Sequence, residues 1–214
     1  KAECYDILAE RKTGKRVILE ALSREKHPDL FLALANLDLT VQAKLRWINT
    51  ALSCYSIHPI TFATFEGTTY DDLLTESIEE KITEGPKVSV ILPAYNAAEG
   101  IQVAIESILT QTWENLELIV VDDCSRDQTK DIVKSYMVQD PRVKLFSTPT
   151  NSGPYVARNI GLKAATGEFV TVNDADDWSH AQKIEIQVKH LIDNPSIIAN
   201  TSEHARLTED LHFY

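Results

Sequence analysis

Three aspartates lie within four positions of one short segment, VNDADDWSH at residues 172–180. Asp174 and Asp176 stand at the end of an apolar run, and in an extended chain their carboxylates straddle one residue. Hard divalent cations prefer such oxygen ligands, and Mg²⁺ commonly combines one or two protein carboxylates with substrate phosphates. The segment therefore indicates a cation site. The alternative is a solvated acidic turn in which Asp177 caps a helix that begins near His180.

A second acidic pair, Asp122 and Asp123, ends the apolar part of VVDDCSRDQT at residues 120–129. A carboxylate at this place could accept a hydrogen bond from a ribose hydroxyl or from the imide N–H of uracil. An Asx turn, with Ser125 or Asp127 as the cap of the following helix, accounts for the same residues without a ligand. The pair alone leaves both interpretations open.

Two further polar clusters follow apolar runs. In PAYNAAEG, residues 93–100, Pro93 ends the run, and Asn96 is expected to cap the next helix and turn backbone N–H groups toward a ligand. In NSGPYVARNIG, residues 151–161, a Gly-Pro pair opens a helix that carries Arg158 in its first turns. A guanidinium near a helix start suits a diphosphate. A plain turn and a solvated arginine are the alternatives.

The elements that must position these clusters alternate along the chain. β-Branched runs separated by helix-like segments predict parallel strands with right-handed crossovers, and hence an α/β sheet with helices on both faces. Ligands bind beyond the carboxyl ends of such strands, where the polar clusters fall. The predicted strands are VSVILP (88–93), LELIVVDD (116–123), VKLFST (143–148) and EFVTVND (168–174), with helices over 97–110, 127–138 and 154–165.

The N-terminal part has a different pattern. Apolar residues recur there at helical spacing, most clearly at Val41, Leu45, Ile48, Leu52 and Tyr55. We expect Asp38 or Thr40 to cap that helix, and three shorter helices to precede it near residues 5–9, 17–22 and 30–34. We assign residues 1–58 to a helical region that docks a partner, self-associates or supports the rest. Residues 59–86 are expected to be a linker with a short solvated helix over TTYDDLLTESIEEKI, and 87–214 the sheet domain.

Composition limits the function classes. The formal charge of −11 over 214 residues argues against a nucleic-acid partner, because a phosphate backbone is bound by clustered Lys and Arg. An acidic chain can still bind a nucleoside diphosphate through a divalent cation. The three cysteines are widely spaced and suggest neither a zinc site nor a disulfide framework. Without an apolar signal core or a membrane-length span, the expected location is cytoplasmic, with peripheral membrane contact left open.

Together the clusters resemble those of family 2 glycosyltransferases with the GT-A fold, over roughly residues 86–195 and in the family's order and spacing. The resemblance implies a Rossmann-like GT-A nucleotide-binding half with a mainly parallel sheet, preceded here by the small all-helical region. The matching segments are VSVILPAYN (88–96), IESILTQT (105–112), LELIVVDDCSRDQT (116–129) and NSGPYVARNIGLKAATGEFVTVNDADD (151–177), with the tryptophan that follows.

The resemblance implies a UDP-sugar donor held with Mn²⁺ or Mg²⁺. Asp123 would hydrogen-bond uracil, Asp174 in the D-x-D motif would face the ribose, and Asp176 would reach the metal on the diphosphate. The candidate nucleotide-sugar-binding residues are Pro93, Ala94, Tyr95, Asn96, Asp122, Asp123, Arg158, Asp174 and Ala175, and the candidate metal ligand is Asp176.

The family's reaction is inverting transfer, in which an acceptor hydroxyl of a carbohydrate or glycolipid attacks the anomeric carbon while an Asp or Glu base takes its proton. In the family that base comes from an acceptor-binding half further along the chain. We therefore expect the base beyond Tyr214, and expect this chain to be a donor-binding half without turnover of its own. Glu209 and Asp210 are carboxylates that could be offered as the base, but they fall in an expected strand or frayed tail. Polysaccharide biosynthesis is the family-level expectation.

Three alternatives come from other classes of protein. A receiver domain also carries an acidic pair at a strand end, but after its first strand rather than its second, and the lysine it needs after a later strand has no candidate here. A sugar-phosphate nucleotidyltransferase usually has a Gly-rich basic loop after its first strand, and PAYNAAEG has no basic residue. A catalytically silent nucleotide-binding or interaction module is the remaining alternative for the chain as it stands.

Overall fold

A computed structural model describes residues 10–63, 69–202 and 204–213. It divides into two compact units, Lys1–Ile78 with Glu203–Tyr214, and Glu79–Ser202. The short helix expected near residues 5–9 lies outside the described residues. Within the described ranges, no helix has the length and apolar character needed to cross a bilayer.

Three helices form most of the first unit: α1 (Arg11–Leu22), α2 (Pro28–Asn36) and α3 (Val41–Ser53). Their apolar faces meet in one small core, which contains Ile18, Phe31, Leu34, Leu37 and Ala51. The Oγ1 atom of Thr40 accepts from the backbone N–H of Ala43 at 3.3 Å, which confirms Thr40 as the cap of α3.

The expected solvated helix between residues 68 and 82 does not form in the described part of the chain, and that prediction is wrong. Strand β1 (Ile60–Phe62) instead pairs antiparallel with β2 (Leu73–Thr75), after a single 3₁₀ turn at Tyr70–Asp72. The side-chain amide of Asn49 bonds both the N–H and the carbonyl of Ile60, which holds β1 against α3. The partner strand and the burial of Leu73 outweigh local helix propensity.

Residues 204–213 group with the helices, whereas the sequence placed them with the sheet. The side chain of Asn36 donates to the carbonyl of Phe213 and accepts from its N–H, as a β-strand partner would. The buried Lys44 ammonium donates to the carbonyl and the carboxylate of Asp210. These long-range bonds explain why the domain boundary differs from the expected one.

The second unit is built on a four-stranded sheet, and the predicted α/β class with a parallel sheet is confirmed. Its strands are β3 (Val88–Ala94), β4 (Leu116–Asp122), β5 (Val143–Ser147) and β6 (Phe169–Val172), and its helices are α4 (Ile101–Leu109), α5 (Thr129–Gln139), α6 (Pro154–Ala164) and α7 (Lys183–Asp193). The strand order is β5-β4-β3-β6, and every pair is parallel.

Alternate residues of β4 point to opposite faces of this sheet. Leu118 and Val120 join the core beneath α4, α5 and α7, while Ile119 and Val121 pack against α6. Helix α6 lies so close to β3 that a Cβ atom on Gly161 would stand 2.5 Å from a methyl group of Ile91.

The order of the strands creates a crevice. The chain runs outward from β3 through β4 to β5 and then returns to the other side of β3 for β6. The direction of winding therefore reverses at β3, and open α/β sheets bind ligands at such a point, beyond the carboxyl ends of the strands. The polar segments of the sequence all follow these strand ends.

Candidate functional site

A cavity of about 580 Å³ lies at the carboxyl ends of the strands. Its size is in the range of small-molecule and cofactor sites. Nine of the ten residues proposed from the sequence line it: Pro93, Ala94, Tyr95, Asn96, Asp123, Arg158, Asp174, Ala175 and Asp176. The structure therefore brings residues from four separate segments to one place, and their roles toward a ligand stay predictions.

Asp122 is the proposed residue that does not line this cavity. Its side chain is fully buried at the end of β4, where it accepts from the N–H of Ser125 at 3.3 Å and pairs with the Lys130 ammonium at 3.2 Å. Neighbouring residues of a strand point to opposite sides, so only one of the two aspartates can face the cavity. Asp122 shapes the loop that follows it.

Asp123 organises the loop after β5. Its carboxylate accepts from the Thr148 hydroxyl at 2.6 Å and from the N–H groups of Ser152 and Gly153, at 2.9 and 2.6 Å. Burial alone would raise the pKa of Asp123, but these three donors outweigh it and lower the pKa below the usual value. The residue is ionised at neutral pH and holds the loop against the cavity.

The loop that Asp123 holds leads directly into α6. Gly153 has a φ of 87°, in the left-handed region that favours glycine, and Pro154 begins the helix as predicted. Arg158 lies one turn further on, and its guanidinium stands 5.6 Å from the centre of the Tyr155 ring. The start of α6 thus presents backbone N–H groups and a cation beside the cavity.

Arg158 connects this helix to the turn at residues 174–177, which we call the acidic turn. Its Nη2 atom donates to Oδ1 of Asp174 at 2.5 Å. Its Nε atom is buried and has no hydrogen-bond partner in the described part of the chain. A buried N–H group of a charged side chain without a partner is costly, so this donor is suited to an anionic ligand atom.

The acidic turn follows β6. The N–H of Asp177 donates to the carbonyl of Asp174 at 3.1 Å, which closes a four-residue turn. Partial burial and then the charges of Asp176 and Asp174 raise the pKa of Asp177. The crowded carboxylates of the turn therefore repel one another.

The proposed capping role of Asp177 is wrong. Helix α7 begins at Lys183, after Gln182, and the N–H of Gln182 donates to Nδ1 of His180. Asp177 therefore lies six residues before the first residue of the helix that it was expected to cap.

Within the described ranges, no group of three or more His, Cys, Asp or Glu side chains is arranged to hold a metal. Asp174 and Asp176 both line the cavity, however. Two carboxylates suit a cation that takes its remaining ligands from phosphate oxygens and water, which is the usual coordination of Mg²⁺ at substrate sites.

Asn96 does not cap a helix, so that expectation is wrong. It joins the loop after β3 to the loop after β4. Helix α4 begins only after Gly100, which makes no side-chain cap. Asn96 has a φ of 48°, its Oδ1 accepts from the N–H of Arg126 at 2.8 Å, and its own N–H donates to Oγ of Ser125 at 2.9 Å. These bonds hold the wall that carries Tyr95.

Sequence reasoning missed several cavity residues, among them Asn151 and Ala157. Asn151 lies in the loop after β5, whose strand end was predicted, so the rule that ligands bind at strand ends could have suggested it. Ala157 offers no such signal, because a small apolar residue in a helix carries no chemistry. It reaches the cavity only because α6 packs closely against β3.

Comparisons with known proteins show which family the chain matches. Residues 89–209 match the model of glycosyl transferase family 2. An uncharacterized glycosyltransferase of Haemophilus influenzae is 42% identical over 115 residues, which cover 54% of this chain and 46% of that protein. The putative teichuronic acid biosynthesis glycosyltransferase TuaG of Bacillus subtilis is 41% identical over 108 residues, covering 50% of this chain and 43% of that protein.

The chain thus matches less than half the length of either relative. Among solved structures, the mannosyltransferase PcManGT of Pyrobaculum calidifontis, in complex with GDP-Man and Mn²⁺, is 33% identical with a TM-score of 0.49. That match covers 55% of this chain and 35% of the other.

Proposed function

Because this chain belongs to glycosyl transferase family 2, we propose that its cavity binds the nucleoside diphosphate of a sugar donor, and that the donor is a UDP-sugar. The observation that supports this most is the convergence of nine sequence-proposed donor residues on one cavity of about 580 Å³. The cavity combines an apolar wall, a buried carboxylate, a guanidinium and an acidic pair, which match the base, ribose and diphosphate of such a donor.

The uracil base of the donor is proposed to lie between Asp123 and the residues at the end of β3. Pro93, Ala94 and the half-exposed Tyr95 supply apolar surface there. A carboxylate offers about four lone-pair positions. The Ser152 N–H contacts both oxygens of Asp123, at 2.9 and 3.0 Å, so three protein donors make four contacts. The imide N–H of uracil is proposed to take the place of one of the two Ser152 contacts.

The diphosphate is proposed to lie between α6 and the acidic turn. Arg158 offers an unpartnered, buried Nε–H, and the first turn of α6 contributes the positive end of its dipole. Asp176, with Asp174 beside it, would hold Mn²⁺ or Mg²⁺. That cation would offset the charge of the leaving diphosphate when bound.

In the intact protein we propose inverting transfer to a hydroxyl of a carbohydrate or glycolipid. The described carboxylates of the cavity are engaged with the loop, with Arg158 or with the proposed cation, so the general base is proposed to come from the acceptor-binding half. We also propose a cytoplasmic location, because Cys54 and Cys124 are both free thiols, as suits a reducing compartment.

The test is calorimetric titration of UDP into the protein, first with Mn²⁺ and then with EDTA. We expect binding with Mn²⁺ that weakens at least about tenfold in EDTA and in Asp176→Asn, a loss of about 1.4 kcal/mol. The matched control is Asp131→Asn, which removes an exposed carboxylate of α5 that pairs only with Lys134 in the described contacts.

Two results would overturn the proposal. If neither Mn²⁺ nor Asp176→Asn changes the affinity for UDP, the acidic turn is not part of the donor site. No binding of UDP under any condition would favour the alternative of a silent interaction module.

A further inference from the structure

The acidic turn rests on a buried polar side chain that the proposed site does not use. Asn173 follows β6 directly and is 2% exposed. Its Nδ2 atom donates to the carbonyl oxygen of Asp174 at 3.1 Å and to that of Asp177 at 3.0 Å. One amide group therefore contacts both ends of the turn that carries Asp176.

The side chains of Ser179 and Lys183 hold the oxygen atom of the same amide group. Oδ1 of Asn173 accepts from the buried hydroxyl of Ser179 at 2.6 Å and from the Lys183 ammonium at 3.4 Å, and Lys183 also donates to Ser179 at 2.9 Å. An ammonium group can only donate. Lys183 therefore keeps the amide oxygen turned toward itself and the NH₂ group turned toward the two carbonyls of the turn.

We propose that Asn173, Ser179 and Lys183 form a brace of positioning residues that holds the backbone of the turn, so that Asp174 and Asp176 face the cavity at the spacing a divalent cation and a diphosphate require. The inference rests on the proposed function, since it names what the braced turn holds. Groups that orient the ligands of a metal typically change its affinity 10–100-fold when removed. The brace contacts the turn's main chain, and therefore acts through the two aspartates rather than on the ligand itself.

The charge of Lys183 allows a test of its role. The Lys183 ammonium lies beside Asp174 and Asp177 and attracts both carboxylates. By its charge alone it would therefore oppose the binding of Mn²⁺ at the same turn. Removing only that charge would therefore strengthen binding of Mn²⁺. If the lysine orients Asn173, its removal would weaken binding instead, so the sign of the change separates the two roles.

The first variant is Asn173→Ala, with Asn194→Ala as its matched control. Asn194 lies at the end of α7, and its amide likewise donates to a backbone carbonyl, that of His190. We measure UDP affinity by calorimetry with Mn²⁺ and with EDTA. We expect Asn173→Ala to weaken the Mn²⁺-dependent affinity by about tenfold or more and to leave the affinity in EDTA unchanged. A merely structural role would weaken both equally.

The second variant is Lys183→Met, with Lys189→Met as its control. Both lysines lie on α7, but Lys189 is exposed and pairs with Glu185. We expect Lys183→Met to weaken the Mn²⁺-dependent affinity about tenfold, while Lys189→Met leaves it unchanged. Equal or stronger Mn²⁺-dependent binding in Lys183→Met would overturn the brace.

Amide hydrogen exchange gives a result that needs no ligand. We expect both brace variants to speed exchange of the amides of residues 175–178 by about tenfold or more, with no change at the controls. If the unaltered protein fails to bind UDP, the proposed function fails, and exchange alone decides whether the brace orders the turn. Exchange equal to that of the controls would overturn the inference.

Discussion

The guanidinium of Arg158 on α6 donates to the carboxylate of Asp174 in the turn after β6, with 2.5 Å between Nη2 and Oδ1. The contact joins two polar clusters that lie 16 residues apart in the sequence. It also orients the guanidinium, while the buried Nε atom has no partner among the described residues. The cation is therefore already oriented for the phosphate that we propose to bind there.

We predict that Arg158→Lys weakens UDP binding in Mn²⁺ by about tenfold, because an ammonium lacks the fixed, separate N–H groups with which a guanidinium can hold a carboxylate and a phosphate together. Binding of uridine, which has no phosphate, should not change between the two proteins. Calorimetry with both ligands measures this difference. Arg24→Lys, at an exposed ion pair with Glu20, is the control and should leave both affinities unchanged. An equal loss for uridine and UDP would contradict a role in diphosphate binding.

A second prediction concerns Asp123, which is 3% exposed and accepts from three protein donors. Asp123→Asn should lower the free energy of unfolding by about 2 kcal/mol at pH 7, because an amide nitrogen would face these donors. Urea denaturation measures the loss. Asp131→Asn, with an exposed carboxylate, should stay within about 0.5 kcal/mol of the unaltered protein.

The effect of Asp123 should depend on pH in a defined direction. The pKa of this carboxyl is lowered in the folded protein relative to about 3.9 in an unfolded chain. Its stabilisation is therefore fully present above about pH 4 and is lost as the pH falls through the lower folded value. The difference in unfolding free energy between the unaltered protein and Asp123→Asn should shrink from pH 6 to pH 3. A difference that grows with acid would contradict this assignment.

A third prediction separates stability from binding. Glu117 is buried at the opposite end of β4 and accepts from the hydroxyl of Ser89, the N–H of Thr166 and the Lys144 ammonium, at 2.6, 2.7 and 2.6 Å. Glu117→Gln should lower the free energy of unfolding by about 2 kcal/mol but leave the Kd for UDP unchanged at temperatures where the protein is folded. Urea denaturation measures the free energy of unfolding, and calorimetry measures the Kd for UDP. The control is Glu114→Gln, which changes an exposed side chain. A changed Kd would show that the two ends of the sheet are coupled.

Much of the sheet unit could be predicted from the sequence, because buried parallel strands are continuous apolar runs and their ends are marked by polar residues. The four strands lie within two residues of their predicted ends, and α6 begins at the predicted Pro154. The resemblance to family 2 glycosyltransferases is confirmed by the match over residues 89–209. The roles of the cavity residues stay predictions.

What the sequence did not reveal depends on contacts between distant residues or on side-chain direction. Asp122 and Asp123 are chemically identical neighbours, and only the pleat of β4 decides which one lines the cavity. The grouping of residues 204–213 with the helices depends on the pair Asn36 and Phe213, which are 177 residues apart. Asn173 is one ordinary amide in sequence, and its role becomes visible only from the two carbonyls that it contacts.

We propose above all that a donor diphosphate and its cation bind at the carboxyl ends of the strands. The most direct measurement is paramagnetic broadening of assigned backbone amide resonances by Mn²⁺ in the presence of UDP. We predict that the amide resonances of Asp176, Gly153 and Asn96 broaden strongly, whereas those of Glu117 and Gly167, at the other end of the sheet, stay sharp. Sharp resonances at Asp176 with broadening elsewhere would contradict it.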